Sequence, residues 1–404
     1  MGSVLTQRLN RMQHVTYFIF CIVYHPQLCQ APCVQPRSKH MTSEQTVPHR
    51  IALVTGGSGF VGGHLISRLI SEGWRVRAIG RSAQSLAAVE ALGAEPKEAD
   101  LTDKAALARA MDGVDTVFHV AAHFKLWGPK RVFRAINVGG ARNVIAAAER
   151  AGVRRVVYVS AAAVVMGRPE PQMQATEDLP LHRMRFAPYS ATKAAAEKIV
   201  LAANGRREGF TTVAIRPPFI WGPDMPALDH MVETVKAGQF QWVAGGSQAM
   251  STCHVENLCH AVILAADHGK GGQAYFVSDD ADTTLKAFLS HLLASRGVEP
   301  GDRTVAFGLA WTMAGIMGAV WRLFRLRGEP PITRQMLRLI GKDFTLNIAR
   351  ARSELGYAPG DRGRRARGDA TDGMTDAASF DAPEPGPPLT SSWRSWSGSG
   401  RAHS

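Results

Sequence analysis

The chain has 404 residues, of which 45% are hydrophobic and 20% are charged. This is ordinary globular composition, which excludes a wholly disordered chain and a collagen-like chain. No run of about 20 purely apolar residues occurs, which excludes a multi-span membrane protein. The formal net charge is +13, but the excess is local, because residues 303–352 hold nine basic and two acidic side chains. We therefore expect a basic face and no nucleic-acid partner.

The two ends of the chain differ in composition from its middle. Residues 1–48 include an apolar run, residues 15–24, that resembles a signal-peptide core but has no clear cleavage site after it. We interpret residues 1–48 as an extension outside the folded core, with Met41 opening the enzyme-like sequence; an export or anchor signal is the alternative. Residues 361–404 are rich in Arg, Gly, Pro, Ser and Asp, which predicts a disordered tail.

Few cysteines lie in the body of the chain. Cys253 and Cys259 are the two that fall after the first 33 residues, and a pair six residues apart does not make a disulfide framework. A reducing, cytoplasmic compartment fits this usage best. The spacing of these cysteines and of the neighbouring His254 and His260 matches no standard zinc pattern, so no metal site is predicted.

Between the ends, short apolar runs alternate with alanine-rich stretches. The expected strands are residues 51–55, 75–79, 116–121, 155–160 and 212–216. The expected helices are residues 60–71, 104–111, 138–151, 189–203 and 230–236. Strands that are apolar on both faces and alternate with helices predict an α/β fold with a doubly wound parallel sheet, the Rossmann arrangement. We assign residues 49–216 to this dinucleotide-binding domain and residues 217–360 to a smaller C-terminal substrate domain.

A glycine-rich turn follows the first expected strand directly. Gly57, Gly59 and Gly62 fit G-x-G-x-x-G, and Gly56, Gly59 and Gly62 fit the variant with two residues in the first gap. Glycines permit a tight turn against a pyrophosphate, and the start of a helix supplies free N–H groups and a positive dipole end. The predicted phosphate-binding residues are Gly56, Gly57, Ser58, Gly59, Phe60, Val61 and Gly62.

The end of the second expected strand indicates which cofactor is preferred. An acidic residue there would bind the ribose 2′-hydroxyl of NAD, but this chain has Gly80 followed by Arg81. An arginine suits the 2′-phosphate of NADP. The sequence therefore favours NADP over NAD, and the alternative is that Arg81 is only a solvated surface side chain.

Tyr189 and Lys193 form a candidate catalytic pair. They lie four residues apart, so on a helix both side chains leave from one face. Tyrosine normally titrates near pH 10, and an adjacent ammonium group together with an oxidised nicotinamide favours the phenolate. The spacing is weak evidence alone, but a dinucleotide-binding turn and an apolar strand precede it.

Taken together, these motifs resemble the extended short-chain dehydrogenases/reductases. Within them the chain looks like the 3β-hydroxysteroid dehydrogenase and dihydroflavonol-reductase branch of the NAD-dependent epimerase/dehydratase superfamily. The similarity covers roughly residues 50–359. Its motifs are TGGSGFVG (55–62), ADLTD (99–103), VFHVAAH (117–123), NVGGARNV (137–144), YSATK (189–193), RPPFIWGP (216–223), HVEN (254–257) and ARSELGYAP (351–359).

The resemblance implies a role for particular residues. Tyr189 would be the acid/base, and Lys193 would hold the nicotinamide ribose. The residues implied in cofactor contacts are Asp100 and Leu101 at the adenine, Ala121 and Ala122 along the cofactor, and Pro217 and Pro218 beside the nicotinamide.

The activity implied is NAD(P)-dependent interconversion of a secondary alcohol and a ketone on a small lipophilic, sterol- or flavonol-like substrate. A nucleotide-sugar epimerase or dehydratase is one alternative, and a cofactor-binding sensor or scaffold without turnover is another. The oligomeric state is left open, with a homodimer as one arrangement.

One departure from the family pattern affects the catalytic site. The family usually ends its fifth strand with a Ser-Ser or Ser-Thr pair, and the second hydroxyl binds the substrate carbonyl. This chain has Ser160 followed by Ala161. Either Ser160 shifts into that role, or Tyr189 alone holds the oxygen, so we retain Ser160 as a candidate catalytic residue.

Residues 304–321 form an uncharged run, and Arg322, Arg325 and Arg327 follow it closely. A helix of this length is at the margin of a bilayer core of about 30 Å. One interpretation is a helix packed on the substrate domain. The other is peripheral contact of residues 304–327 with an anionic membrane surface, with the catalytic domain in the cytoplasm.

Overall fold

The computed structural model describes residues 50–182, 184 and 186–360. The predictions for residues 1–48 and 361–404 lie outside the described residues. The strands, in chain order, are β1 (Ile51–Thr55), β2 (Arg75–Gly80), β3 (Glu95–Glu98), β4 (Thr116–His119), β5 (Arg155–Val159), β6 (Gln172–Ala175), β7 (Thr211–Arg216), β8 (Phe219–Trp221), β9 (Trp242–Val243), β10 (Ala249–His254), β11 (Ala274–Phe276), β12 (Asp282–Thr284), β13 (Thr304–Val305) and β14 (Phe344–Leu346).

The helices join and cover these strands. In chain order they are α1 (Phe60–Ser71), α2 (Ala83–Ala91), α3 (Lys104–Ala110), α4 (Lys130–Phe133), α5 (Gly140–Arg150), α6 (Pro188–Leu201), α7 (Pro226–Lys236), α8 (Val255–His268), α9 (Leu285–Ala294), α10 (Phe307–Leu323), α11 (Arg334–Ile340) and α12 (Ala349–Leu355). A π-helical segment, Arg134–Gly139, connects α4 to α5. None of the helices in the described part of the chain is long and apolar enough to cross a membrane.

A seven-stranded parallel sheet forms the centre of the molecule, in the order β11-β7-β5-β4-β1-β2-β3. Its inner strands are apolar on both faces; β1, for example, has the sequence IALVT and is buried along almost its whole length. Helices α1 and α8 cover one face, and α3, α5 and α6 cover the other. The predicted doubly wound α/β fold is therefore confirmed, and β1 and α1 have the predicted bounds.

A second group of elements follows β7 and includes the short strands β8, β10, β12 and β14 and the helices α7, α9, α10 and α11. Strand β10 pairs with β8, β12 and β14, and β14 also pairs with β6. Helices α7 and α9 pack around Trp221 and Trp242, and α10 packs on α11 through a smaller apolar cluster. Residues 217–360 also contribute strand β11 to the seven-stranded sheet and helix α8 to one of its faces. The expected boundary at residue 216 therefore does not separate the whole sheet from the segment that follows.

Candidate active site

The glycine-rich turn lies between β1 and α1, as the sequence predicts. Gly56 has φ +76°, a conformation that favours glycine. A Cβ atom on Gly62 would lie 2.0 Å from the carbonyl oxygen of Gly56, so α1 can pack on the turn only without a side chain there. Gly57 is different, because its missing side chain leaves room for Ile66 and Val89 of the core. The turn thus presents bare backbone at the start of α1, which fits a pyrophosphate.

Gly80 ends β2 and has no room for a side chain. A Cβ atom on Gly80 would lie 2.7 Å from Ser85 Oγ and 3.2 Å from the backbone nitrogen of Leu86. The start of α2 therefore excludes a carboxylate at this position. Arg81 follows it, with a side chain that is 70% exposed and whose Nη1 lies 3.7 Å from Asp100 Oδ2.

The loop after β4 lies against the glycine-rich turn. Thr55 Oγ1 accepts a hydrogen bond from the backbone N–H of Ala121 at 3.1 Å and is 2.8 Å from His119 Nδ1. Gly56 is so close to this loop that a Cβ atom on it would lie 2.8 Å from Ala121 Cα. Ala121 and the half-buried Ala122 therefore line the expected path of the cofactor.

Asp100 and Leu101 follow β3 at the same edge of the sheet. The carboxylate of Asp100 accepts hydrogen bonds from the N–H and the hydroxyl of Thr102, and these bonds lower its pKa. Leu101 is buried, and its carbonyl oxygen accepts a hydrogen bond from Asn143 Nδ2 at 2.9 Å. Both residues are held in place by these contacts, and their approach to the adenine stays a prediction.

Tyr189 and Lys193 lie on one face of α6, whose first residue is Pro188. Lys193 Nζ donates a hydrogen bond to the carbonyl oxygen of Val159 at 2.5 Å and lies 4.2 Å from the centre of the Tyr158 ring. The helix is thereby attached to the carboxyl end of β5. Burial lowers the pKa of Lys193 to about 7, and the carboxylate of Glu197 opposes this effect.

Tyr189 is surrounded by apolar side chains. It is buried with Phe133, Ala161 and Ala163, and Leu339 of α11 packs on the same cluster. The exposed ring of Phe124 meets the Tyr189 ring edge-on, with 5.0 Å between centroids. Burial raises the pKa of the Tyr189 phenol above its ordinary value, so the phenol keeps its proton at neutral pH.

Two polar side chains that sequence reasoning did not single out hold this site together. Gln335 of α11 is buried, and its Oε1 accepts a hydrogen bond from the backbone N–H of Tyr189 at 3.3 Å. Asn137, in the π-helical segment, accepts from the backbone N–H of His123 at 2.7 Å and donates to Thr192 Oγ1 at 3.0 Å. Asn137 is the first residue of the motif at residues 137–144, so the sequence contained a signal for it; no local pattern indicated Gln335.

Ser160 and Ala161 occupy different surroundings. Ala161 packs in the apolar cluster around Tyr189. The Ser160 hydroxyl is buried and has no hydrogen-bond partner among the described residues. The backbone N–H of Ser160 donates to Ile215, and that of Ala162 donates to Pro217 at 2.8 Å. Pro217 and Pro218 thus lie beside the end of β5, near the catalytic pair.

His119 near the site and the two cysteines of the body, Cys253 and Cys259, have structural surroundings. His119 is fully buried against the Tyr158 ring, and burial, with a smaller effect of Lys193, lowers its pKa to about 3. His119 is therefore neutral at physiological pH. Cys253 and Cys259 are buried free thiols in the core beneath the sheet, and burial raises the pKa of both.

The predicted residues form two neighbouring groups along the carboxyl edge of the sheet. One contains the glycine-rich turn, Arg81, Asp100 and Ala121, and the other contains Tyr189, Lys193 and the residues that follow β5 and β7. In open parallel sheets a dinucleotide binds in the crevice at this edge. The predicted cofactor residues therefore lie at this edge, and the apolar cluster around Tyr189 lies beside them.

Comparison with known proteins agrees with this geometry. A model of the "3-beta hydroxysteroid dehydrogenase/isomerase family" matches residues 53–307. The 4-hydroxy-2-methyl-3-oxo-4-farnesyl-3,4-dihydroquinoline-1-oxide ketoreductase of Stigmatella aurantiaca is 42% identical over 307 residues, covering 76% of this chain and 91% of that protein. The 3 beta-hydroxysteroid dehydrogenase/Delta 5-->4-isomerase of Mycobacterium tuberculosis is 37% identical over 328 residues, covering 76% and 85% of the two chains.

Solved structures show the same fold. The dTDP-glucose 4,6-dehydratase of Streptomyces venezuelae, crystallised with NAD, superposes with a TM-score of 0.59 at 24% identity, covering 76% of this chain and 91% of that chain. This likeness shows that the two chains share a fold. The chain belongs to the 3-beta hydroxysteroid dehydrogenase/isomerase family and is an NAD(P)-dependent oxidoreductase.

Proposed function

We propose that this protein reduces a ketone on a lipophilic substrate to a secondary alcohol, with NADPH as the preferred cofactor and Tyr189 as the proton donor. The observation that carries the proposal is the position of Tyr189: it lies four residues before Lys193, next to β5, inside a cluster of apolar side chains. The exposed ring of Phe124 and the half-buried Leu339, which lie against Tyr189 and its apolar cluster, offer hydrocarbon surface to a substrate.

A nicotinamide cofactor, when bound, would supply a hydride to the carbonyl carbon. The chain supplies the proton. Because burial raises the pKa of the Tyr189 phenol, that group remains protonated and donates its proton to the carbonyl oxygen as negative charge develops there. When Lys193 is protonated, its ammonium group stabilises the phenolate that remains, because the carbonyl oxygen of Val159 holds Nζ near the site. In the oxidative direction the same phenolate takes the proton back.

The preference for NADPH is supported by Gly80 and Arg81. A side chain at Gly80 would collide with Ser85, so no carboxylate can repel an added phosphate there. The guanidinium of Arg81 is exposed beside Asp100, and it is available for a phosphate at the edge of the adenine position. The farnesylated substrate in the name of the Stigmatella relative and the steroid in that of the mycobacterial relative support a lipophilic substrate.

Turnover of a substrate panel tests the proposal. The purified full-length protein is incubated with NADPH and, separately, with a 3-ketosteroid, a long-chain 3-oxoalkanoate, a dihydroflavonol and a nucleotide sugar. We expect NADPH oxidation with at least one lipophilic ketone and none with the nucleotide sugar. Conversion of the nucleotide sugar without net NADPH consumption would support an epimerase or dehydratase instead. Cofactor binding without turnover of any ketone would contradict the proposal.

A further inference from the structure

Helix α6, which carries Tyr189 and Lys193, begins without a capping side chain of its own. Its N-cap position is Ala187, whose side chain has no hydrogen-bond acceptor, and its first residue is Pro188, which has no N–H group. Tyr189 is therefore the first residue of α6 with an N–H to satisfy, and the first N–H groups of a helix have no partner within it. Because Tyr189 is only 8% exposed, that partner has to come from elsewhere in the protein.

Gln335 of α11 supplies this partner. Its side chain is 1% exposed, its Oε1 accepts from the backbone N–H of Tyr189 at 3.3 Å, and its Nε2 donates to the backbone carbonyl oxygen of Lys125 at 3.5 Å. A backbone N–H can only donate and a backbone carbonyl can only accept, so these two contacts determine which end of the amide faces which partner. Replacing the amide with hydrocarbon would leave the Tyr189 N–H buried without an acceptor, which is the costly case for a hydrogen-bonding group.

The segments that Gln335 joins also surround the tyrosine ring. Lys125 directly follows Phe124, whose ring meets the Tyr189 ring edge-on with 5.0 Å between centroids. Leu339 is four residues after Gln335, so it lies on the same face of α11, and it packs on the apolar cluster that contains Tyr189. One buried amide thus connects the loop after β4, the start of α6 and the helix that packs on the tyrosine cluster.

Helix α11 is itself fixed in the fold. Thr333 caps its start, since Thr333 Oγ1 accepts from the backbone N–H of Met336 at 3.1 Å. Leu337 is fully buried in an apolar cluster that it shares with residues of α10. Gln335 therefore reaches Tyr189 from a packed element, and the position of that element determines where the start of α6 is held.

We infer that Gln335 is a positioning residue for proton transfer by Tyr189. It fixes the first turn of α6 and so holds the phenol beside Phe124, where a substrate carbonyl oxygen would meet it. Gln335 acts through the backbone of Tyr189, and the placement of that residue affects the rate strongly, because a misplacement of about 1 Å can cost about 100-fold. This role rests on the proposed function, in which Tyr189 donates the proton.

Steady-state kinetics of the full-length protein, with NADPH and the lipophilic ketone that the wild type reduces fastest, test this role. Gln335→Met removes both polar atoms and keeps the length of the side chain. Gln335→Glu keeps an oxygen that accepts from the Tyr189 N–H, and the positive end of the helix dipole favours a carboxylate there. The control is Gln248→Met, because Gln248 is also buried and also donates to a backbone carbonyl, that of Val243 at 2.9 Å.

We expect Gln335→Met to lower kcat by about 10- to 100-fold, as misplacement of a reacting group does. KM for the ketone and the dissociation constant of NADPH should stay within about twofold of the wild type, because binding is intact and only the transition state is affected. Gln335→Glu should keep kcat within about fivefold of the wild type. Gln248→Met should lose stability in urea and keep its kcat. A Gln335→Met variant with wild-type kcat, or a Gln335→Glu variant as slow as Gln335→Met, would overturn the inference.

Hydrogen exchange of the Tyr189 amide, measured at single-residue resolution, tests the contact without cofactor or substrate. We expect this amide to be protected in the wild type and in Gln335→Glu, and to exchange about tenfold faster in Gln335→Met, the effect of losing one hydrogen bond. A wild-type Tyr189 amide that exchanges as fast as in an unfolded chain would overturn the inference, even if Gln335→Met did not fold. If the wild type reduced no ketone, the proposed function would fail, and the exchange measurement would still decide whether Gln335 holds the start of α6.

Discussion

Glu197 and Arg216 form a buried bidentate ion pair one helical turn beyond Lys193. Arg216 Nη2 donates to Glu197 Oε1 at 2.6 Å, and Nε donates to Oε2 at 3.0 Å. The side chains are 1% and 6% exposed. Tyr189, Lys193 and Glu197 share one face of α6, while Arg216 directly precedes Pro217. The pair therefore fixes the catalytic helix to the strand that leads into the nicotinamide side of the site.

Replacing Glu197 with glutamine is predicted to destabilise the protein. The change leaves the Arg216 guanidinium buried without its carboxylate, and breaking a buried pair in this way costs about 3–5 kcal/mol. Urea unfolding measures the loss. The control is Glu233→Gln, which removes an exposed partner of Lys236 and should cost less than about 1 kcal/mol. Equal losses in the two variants would show that the buried pair does not hold α6 to β7.

The ion pair between His64 and Glu256 makes stability depend on pH. His64 Nδ1 lies 3.0 Å from Glu256 Oε1, which joins α1 to α8. The hydrogen bond that His64 donates to the Glu256 carboxylate raises the pKa of His64 above 6.5 and lowers the pKa of Glu256 below 4.5. Stability from the charged histidine is fully present below pH 6.5 and is lost as the pH rises through the raised value. The contribution of Glu256 is present above pH 4.5 and is lost on acidification.

His64→Gln should therefore cost more at pH 6 than at pH 8.5. The difference should be about 0.5–1 kcal/mol, the usual range for a partly exposed pair. Chemical denaturation at the two pH values measures it, with His230→Gln, an exposed histidine on α7, as the control. A loss that is the same at both pH values would mean that the charge on His64 contributes nothing to folding.

Two single substitutions test whether a serine hydroxyl at the end of β5 takes part in catalysis. If the partnerless Ser160 hydroxyl serves the substrate oxygen, Ser160→Ala should lower kcat by about 100-fold, the usual effect of losing one oxyanion donor. The folded protein should be no less stable, because no hydrogen bond is lost. Ala161→Ser places a hydroxyl in the cluster around Tyr189 and should preserve or raise kcat. Full activity of Ser160→Ala would show that no serine hydroxyl takes part at this position.

Arg81→Ala should change cofactor preference without changing the fold. A charge-assisted contact to the 2′-phosphate contributes about 1.5–3 kcal/mol, so affinity for NADPH should fall by at least tenfold. Affinity for NADH should stay the same, because NADH has no phosphate there. Fluorescence titration of both cofactors measures the ratio, with the exposed Arg109→Ala as control. An unchanged ratio of the NADPH and NADH affinities would show that Arg81 is a solvated surface side chain that does not contact the cofactor.

The parts of the fold that were predictable carry strong local signals. Strand β1 is uniformly apolar and runs into a turn that only glycine can make, so both its bounds and its role followed from the sequence. Strand β3 was missed because Glu-Pro-Lys-Glu, at the sheet edge, has no apolar pattern. Strand β11 has only three residues, and its partner β7 lies about sixty positions earlier, so its pairing is decided by tertiary packing.

In the candidate site, too, residues with a local sequence signal were predictable and residues positioned by tertiary contacts were not. Tyr189 and Lys193 were found because their spacing is local and helical. Gln335 accepts a hydrogen bond from the backbone of Tyr189, which lies 146 positions earlier in the chain. No sequence pattern near Gln335 indicates that contact. Helix α10 looked ambiguous in the sequence because it is apolar on two faces, and only its packing partners show which face is covered.

The Tyr189→Phe variant tests the central claim most directly. The substitution removes one oxygen atom and keeps the ring among Phe124, Phe133 and Ala161. We expect the dissociation constant for NADPH to stay within about twofold of the wild type, while kcat for the best lipophilic ketone falls by at least 100-fold, as loss of a general acid requires. A Tyr189→Phe enzyme that binds NADPH normally and keeps more than a few per cent of the wild-type kcat would contradict the assignment of Tyr189 as the proton donor.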